Sequence, residues 1–466
     1  MKSRLFAPLL FFALLAPAQD KPEWGLIANK PAAFQGYTLF APLNHKSTYL
    51  INMEGEIVHQ WEHEEQVSNS VYLLEDGRLL RPMHVRDNEV LGAPPFGGGR
   101  LQIIGWDGKV EWDYRLSDGN RYQHHDVVPL PNGNVLALAW ELKSRDEALA
   151  AGRRPDLLDG DKLFPESVLE IRPTGPTTGE IVWQWSLWDH LVQDFDPQKA
   201  NYGVVADHPE LLDINFINGK GSDWNHSNGI DYNPELDQII INMRSMNEFY
   251  VIDHSTTAEQ ARGHAGGKQG KGGDFLYRWG NPQGYYRGRE RDRMLYFQHN
   301  AHWIRPGLSG AGDILVFSNG DGRPGGNSSS VDQLRPPVTA EGGYRLEAGK
   351  AYGPKELVWS YAADPKASFY SSFISGSQRL PNGNTLNCSG AQSRLFEVTP
   401  EGEIVWVYRS AFARPDAPVS MGGSLAEGQP KPAPNAPAMR GVGVFRATRY
   451  APAYPGLRGK SLQAVR

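Results

Sequence analysis

The sequence predicts an all-β fold, a six-bladed β-propeller of four-stranded antiparallel blades, and two observations carry that prediction. One phrase recurs six times, in its fullest form a turn ending in Gly followed by an apolar strand with an aromatic pair. It reads MEGEIVHQW (53–61), WDGKVEWDY (106–114), TTGEIVWQW (177–185), DFLYRW (274–279), ELVWSY (356–361) and EGEIVWVY (401–408). A second phrase, an apolar strand and tight turn, precedes most copies: YLLEDGRLL (72–80), PLPNGNVLALAW (129–140), the turn at Asn233, RPGLSGAGDILVF (305–317) and RLPNGNTLNC (379–388). The Asn-Gly turns among them are hairpin signals because both residues tolerate positive φ. Four strands per repeat, at a period of roughly 40 to 75 residues, is the pattern of propeller blades.

Taken in order, the chain opens with Lys2 and Arg4, an apolar run from Leu5 to Leu15 and the small-residue step Ala16-Pro17-Ala18. This reads as a secretory signal peptide over 1–18 and places the mature protein in the periplasm or outside the cell, without a stable membrane anchor. Residues 19–466 read as one propeller domain, with blades at about 36–62, 69–116, 125–188, 226–280, 299–361 and 373–410. The first blade lacks an inner strand, which the apolar stretch within 441–457 is expected to supply, closing the ring. Segment 413–440 is rich in Pro, Ala and Gly and reads as a surface loop. The longest insertions run over about 141–166 and 189–222, and a Gly-rich loop, GHAGGKQGKGG, covers 263–273. That loop lacks the spacing and strand-to-helix setting of a nucleotide-binding loop. A net charge of −6 argues against a general nucleic-acid binder. The single cysteine, Cys388, excludes an intrachain disulfide.

Chemistry concentrates in DWNHSNGIDYNPELDQIIINMR (223–244), two short strands about a turn at Asn233-Pro234-Glu235. His226 and Asn228 stand at the start of the first strand and Arg244 at the end of the second, so a hairpin brings them to one end. Aligned on their first turns, the third, fourth and fifth blades begin their inner strands at His125, His226 and His299, with Asn69 and Ser375 in the corresponding places of the second and sixth. Three imidazoles are thus expected at one mouth of the channel. A three-histidine zinc site is one chemistry for them. No carboxylate is evident behind all three, however, and Arg244 would set a positive charge beside the metal. Arginine with imidazoles and an amide suits an oxyanion instead, such as sulfate, phosphate or carboxylate. No metal and no cofactor is therefore expected there.

With these motifs in view, the chain resembles the bacterial arylsulfate sulfotransferase family from about residue 50 to 460. The resemblance rests on HHDVVPLPNGNVLALAWE (124–141), the 223–244 stretch, VIDHSTTAEQARGHAGGKQGKGGDFLYRWGNP (251–282), FQHNAHW (297–303) and SGSQRLPNGNTLNCSG (375–390). It implies a six-bladed propeller that moves a sulfuryl group from a phenolic sulfate ester to a phenolic acceptor through a sulfohistidine, without a nucleotide donor. Carried over by motif, it makes His299 the nucleophile and His226, Asn228 and Arg244 the sulfuryl-binding group. His125 is the remaining histidine, and His124 is an alternative occupant of that place. Asn300 stands where many relatives have an aspartate, and neither the N-terminal β domain of better-known members, for which residues before 36 leave no room, nor their disulfide is expected here.

Two other readings compete with the enzyme. One is a non-catalytic exported propeller that binds a sulfated or phenolic ligand or a partner protein. The other is a quinone-dependent oxidoreductase, suggested by the tryptophans of TTGEIVWQW, although those side chains are also what blade packing needs. Trp188, Tyr202, Trp224 and Trp303 are candidates to stack on a phenyl ring.

Overall fold

A computed structural model describes residues 24–43, 45–88, 97–216, 221–410, 412 and 443–465. The expected leader and the 413–440 segment lie outside the described residues. Six antiparallel sheets of sequential strands form a six-bladed propeller. The second blade comprises Tyr72–Leu73, Leu79–His84, Gly99–Ile104 and Val110–Arg115. The third comprises Arg121–Pro129, Val135–Glu141, Glu166–Gly175 and Thr178–Ser186, and the fourth Ser227–Asn233, Gln238–Met243, Glu248–Asp253 and Tyr277–Trp279. The fifth is built from His299–Trp303, Ile314–Ser318, Ser330–Leu334 and Trp359–Tyr361. The sixth contains Gly376–Arg379, Thr385–Ser389, Arg394–Val398 and Ile404–Arg409.

The first blade takes Tyr37–Pro42, Ser47–Ile51 and Ile57–Glu62 from the start of the chain and its inner strand, Val444–Tyr450, from the end. Tyr37 pairs with Tyr450 and Phe40 with Ala447, so the two ends of the chain are joined by a ladder of backbone bonds. The sequence pattern did not announce one strand. Gly25–Asn29 adds to the outer edge of the sixth blade, against Ile404–Arg409. Five residues without alternation carry too little periodic signal to be read as a strand.

The recurring aromatic strand explains how the blades hold one another. A tryptophan in the fourth strand of every blade donates its indole N–H to a carbonyl at or just before the start of the fourth strand of the next. The bonds run from Trp61 to Gly105 (3.1 Å), Trp112 to Thr178 (3.0 Å), Trp185 to Gly273 (2.7 Å), Trp279 to Pro354 (2.8 Å), Trp359 to Pro400 (2.8 Å) and Trp406 to Met53 (3.0 Å). The tryptophans of TTGEIVWQW are committed to this ring, since Trp183 also reaches Thr256. Between blades lie wedges of apolar side chains, of which the largest joins the third and fourth through Val128, Leu138, Trp185, Ile230, Ile241 and Tyr250. Each indole bond contributes about 1 kcal/mol net, so the buried rings themselves contribute more.

Candidate active site

The inner strands of the third, fourth and fifth blades are interrupted where the histidines stand. The ladder slips between Ala137 and Ala139, between Ser227 and Gly229, and between His299 and His302, leaving a bulge near the start of the inner strand in the fourth and fifth blades and in mid-strand in the third, which begins at Arg121 rather than at His125. His125 and His226 adopt left-handed backbone (φ 51° and 45°), as does Asn300 (φ 53°). Bulges of this kind re-aim side chains and recur beside active sites.

They also correct the simple alignment of three histidines in one place. Val127, Ile230 and Ala301 are the residues through which these strands pack on the preceding blade. Counted back from them, His125 and His299 stand two places ahead, and the fourth blade has Asn228 there. His226 stands four ahead, where the fifth blade has Phe297, also at positive φ (52°). His226 therefore enters from a residue nearer the rim, and the bulges bring it to the others. The His125 and His226 rings meet edge to face at 4.8 Å, and Phe445 stands 6.1 Å from His125 and 6.4 Å from His299.

Each imidazole has a support behind it. His299 is buried, with Nδ1 2.7 Å from Asn319 Oδ1. The orientation of that amide is fixed, because Asn319 Nδ2 lies 2.8 Å from the carbonyls of both Ser371 and Ile374, which can only accept. Its oxygen must face His299, so Nδ1 carries the proton and Nε2 is left as the lone pair. Burial, reinforced by Arg244, holds the His299 pKa well below its usual value, so the ring is neutral near pH 7. His226 Nδ1 stands 2.5 Å from Asp223 Oδ2. Burial pushes the Asp223 carboxyl up, but the adjacent His226 outweighs it and leaves the pKa below the usual carboxylate value. His125 meets His124 Nδ1 to Nδ1 at 2.7 Å, and His124 Nε2 meets Glu166 Oε2 at 2.8 Å. His124 stacks on Trp140 and stands behind His125, forming a carboxylate–imidazole–imidazole relay. Burial, then His226, His124, His299 and Arg244, hold the His125 pKa well below normal.

The hairpin places Arg244 beside His226, its backbone N–H donating to the His226 carbonyl at 3.0 Å. Its guanidinium lies over the Phe297 ring at 4.5 Å and makes no hydrogen bond or ion pair with another described residue. A partly exposed cation held against an aromatic face, with its donors unused by other described residues, has the chemistry to receive an anion. Asn228 is brought to the same region but is engaged at both ends. Its Nδ2 donates to the Gln298 carbonyl at 3.0 Å, and its Oδ1 accepts from Asn242. It braces the backbone next to His299. Asn300 directs Oδ1 to the Ser377 N–H at 3.0 Å, a bond an aspartate would also accept.

One layer deeper, Arg446 of the closing strand blocks the axis. Its Nη1 meets Tyr72 Oη at 2.6 Å and Asp126 Oδ2 at 2.8 Å, from the second and third blades. On the far side it is packed so closely that a Cβ on Gly229 would stand 3.4 Å from Nη2, and one on Gly376 3.3 Å from Cγ. At this level side chains from around the ring meet, so the histidines line a pocket rather than a through-channel.

Sequence reasoning missed the supports. Glu166 comes from a segment with no motif of its own, and Asn319 from the Ser-Asn-Gly step at 318–320, which does not show its partner, whereas Asp223 lies three residues before His226 and was legible in principle. The expected stacking aromatics are elsewhere: Trp224 and Trp303 are core residues, Tyr202 is exposed and Trp188 lies under Lys143. Phe297 and Phe445 are the aromatic faces beside the polar cluster.

Fold and site thus define a β-propeller with a blind pocket of imidazoles and one arginine receptive to an oxyanion. The chain belongs to the arylsulfotransferase (ASST) family, whose model matches residues 29–411. It is similar to the arylsulfate sulfotransferase AssT of Escherichia coli, 24% identical over 324 residues, covering 62% of this chain and 49% of that protein. The match therefore spans about half the length of that relative. Among solved structures it is similar to a protein of unknown function from Bacteroides caccae, 14% identical with a TM-score of 0.42, covering 80% of this chain and 93% of that one. It is also similar to virginiamycin B lyase from Staphylococcus aureus, 9% identical with a TM-score of 0.37, covering 84% and 85%. No helix among the described residues is long and apolar enough to cross a membrane.

Proposed function

We propose that the protein is an exported arylsulfate sulfotransferase that carries the sulfuryl group on His299 Nε2. The observation that supports this most directly is the fixed amide of Asn319, which sets a neutral His299 with its Nε2 lone pair available. In the first half-reaction Nε2 attacks sulfur, an N–S bond forms and the S–O bond to the aryl group breaks. The phenolate leaves with a proton from His226, which Asp223 orients through Nδ1. Arg244 binds the sulfuryl oxygens, where charge develops in the transition state. In the second half a phenol gives its proton to His226, its oxygen attacks sulfur, and the N–S bond breaks. Because the pocket is blind at Arg446, donor and acceptor use one mouth in turn. The leader-like residues 1–18 support export.

The test is the intact mass of the protein after brief exposure to 4-nitrophenyl sulfate, followed by peptide mapping at neutral or higher pH. One sulfuryl group on the peptide containing His299, discharged by added phenol, is the expected result. A His299→Ala variant that still turns over the donor refutes the assignment. Tight binding of an aryl sulfate with no product and no modified histidine points instead to a binding propeller.

A further inference from the structure

The Gly-rich loop 263–273 has no part in the histidine pocket, and its path explains its glycines. Gly266, Gly267, Gly270 and Gly272 all have positive φ (106°, 70°, 71° and 58°). At Gly273 a Cβ would stand 2.1 Å from the Ala261 carbonyl oxygen and 2.5 Å from His190 Nε2, so only glycine lets the backbone pass that ring. The loop thereby brings His264 and Asp274 to His190, which lies in the connection after the last strand of the third blade.

Three donor atoms converge there. Asp274 Oδ1 lies 2.8 Å from His190 Nδ1 and 2.7 Å from His264 Nδ1. The ligand atoms of the three residues all fall within 4.8 Å of one another. His190 is fully buried, its ring parallel to Trp185 at 5.6 Å, with Nε2 2.9 Å from the Ala261 carbonyl. A carbonyl only accepts, so Nε2 carries the proton, and a neutral His190 points the Nδ1 lone pair at the carboxylate. Two electron-rich atoms at that separation need either a second proton on a buried ring or a cation between them. An imidazole anchored by one nitrogen to a carbonyl, with the other facing a second imidazole and a carboxylate, is how metal-ligating histidines are oriented. The His264 side chain is 61% exposed, so one side of the group opens to water, which can serve as a fourth ligand.

We infer that His190, His264 and Asp274 bind one divalent first-row transition-metal ion, zinc before the others, in a site separate from the histidine pocket. Two imidazoles and a carboxylate suit zinc chemically. Tetrahedral bonds of about 2.0 to 2.2 Å set ligand atoms roughly 3.3 to 3.6 Å apart, so the two contacts to Asp274 open by about 0.5 to 0.9 Å on binding. The ion rivets the connection that carries His190 to the loop of the fourth blade. This site was not expected from sequence, because its three ligands are spread over 84 residues, from His190 to Asp274, in no metal-binding spacing.

The experiment strips the purified full chain with a chelator, restores zinc chloride and measures bound metal by atomic emission. The expected result is one zinc per chain, a Tm that rises on zinc addition, and a visible tetrahedral spectrum with cobalt in its place. His264→Ala, at an exposed position, and Asp274→Asn are expected to weaken zinc at least tenfold and abolish the Tm rise. His226→Ala is expected to keep both, which separates this site from zinc captured by the pocket histidines. Absence of zinc binding at micromolar metal overturns the inference, as does zinc that the His264→Ala and Asp274→Asn variants retain unchanged.

Discussion

Asn319 touches no substrate in the proposed chemistry, yet it sets which nitrogen of His299 attacks, and this can be separated from its structural duty. In Asn319→Leu the His299 Nδ1–H loses its acceptor. A buried N–H left unmet costs about 1 to 3 kcal/mol, and at 1.4 kcal/mol per factor of ten the attacking tautomer falls roughly 5- to 150-fold. Fully fixing the wrong tautomer sets a ceiling of about 10⁴, as in serine-protease triads. The same substitution strands the carbonyls of Ser371 and Ile374, so stability falls too. Asn319→Asp divides the two effects: the carboxylate still accepts from Nδ1 but offers no donor to the carbonyls. It is expected to keep most of the sulfation rate while losing stability, whereas Asn319→Leu loses both. The assay is single-turnover release of 4-nitrophenol by rapid mixing, with Tm measured alongside. A sulfation rate in Asn319→Leu within twofold of wild type, or one that tracks Tm equally in both variants, refutes the reasoning.

Three further outcomes follow from the same geometry. Arg244→Ala is expected to lower kcat about 10²- to 10³-fold, the typical loss for one preorganised oxyanion donor. Arg244→Lys should recover little, because an ammonium lacks the planar fork; steady-state turnover of 4-nitrophenyl sulfate measures both. Asp223→Asn weakens the proton donor and so is expected to slow poor leaving groups most, about 10²-fold for phenols of high pKa and little for 4-nitrophenol, read as a steeper dependence of rate on leaving-group pKa. His254 bridges blades through Nε2 to Glu170 and Nδ1 to Asp237, both at 2.9 Å. Burial pulls its pKa down, but the two carboxylates outweigh it and raise the net value above 6.5. The folded state thus holds the proton more tightly than the unfolded one. The stabilisation is fully present below about pH 6.5 and is lost as pH rises through the folded value. Tm should decline over that window in the wild type, and His254→Gln should remove this part of the decline.

The blade architecture was legible because its signals are local. A Gly turn followed by an aromatic strand states both where the fourth strand begins and which residue reaches the next blade. The ring closure was visible because Val444–Tyr450 has the alternation of a strand and the first blade lacked one. His226, His299 and Arg244 were legible as residues at strand ends, and His125 by its alignment with them, although its strand begins four residues earlier, at Arg121. What was hidden depends on contacts between distant segments: Asn319 lies 20 residues beyond His299, and Glu166 lies 42 beyond His124. The bulges were hidden as well, since an extra residue in a strand leaves no mark in a hydrophobic pattern that is already interrupted by polar site residues.

Those bulges and the plug at Arg446 belong to one arrangement. A left-handed residue with a side chain as large as histidine costs on the order of 1 to 3 kcal/mol, and His125 and His226 both adopt that conformation. Regular strands would avoid the cost but would send successive side chains alternately to the two neighbouring blades, leaving few aimed at the axis. The bulge turns polar side chains inward at the mouth, and the regular pairing that resumes at Val127, Gly229 and His302 restores the wedges between blades. Arg446 then fills the axis where the strands are regular, held by Asp126 and Tyr72. Its charge is paired there, while that of Arg244 above it is not. An anion entering the mouth therefore meets Arg244 at the level of His299, while the cation below it, Arg446, is already paired with Asp126.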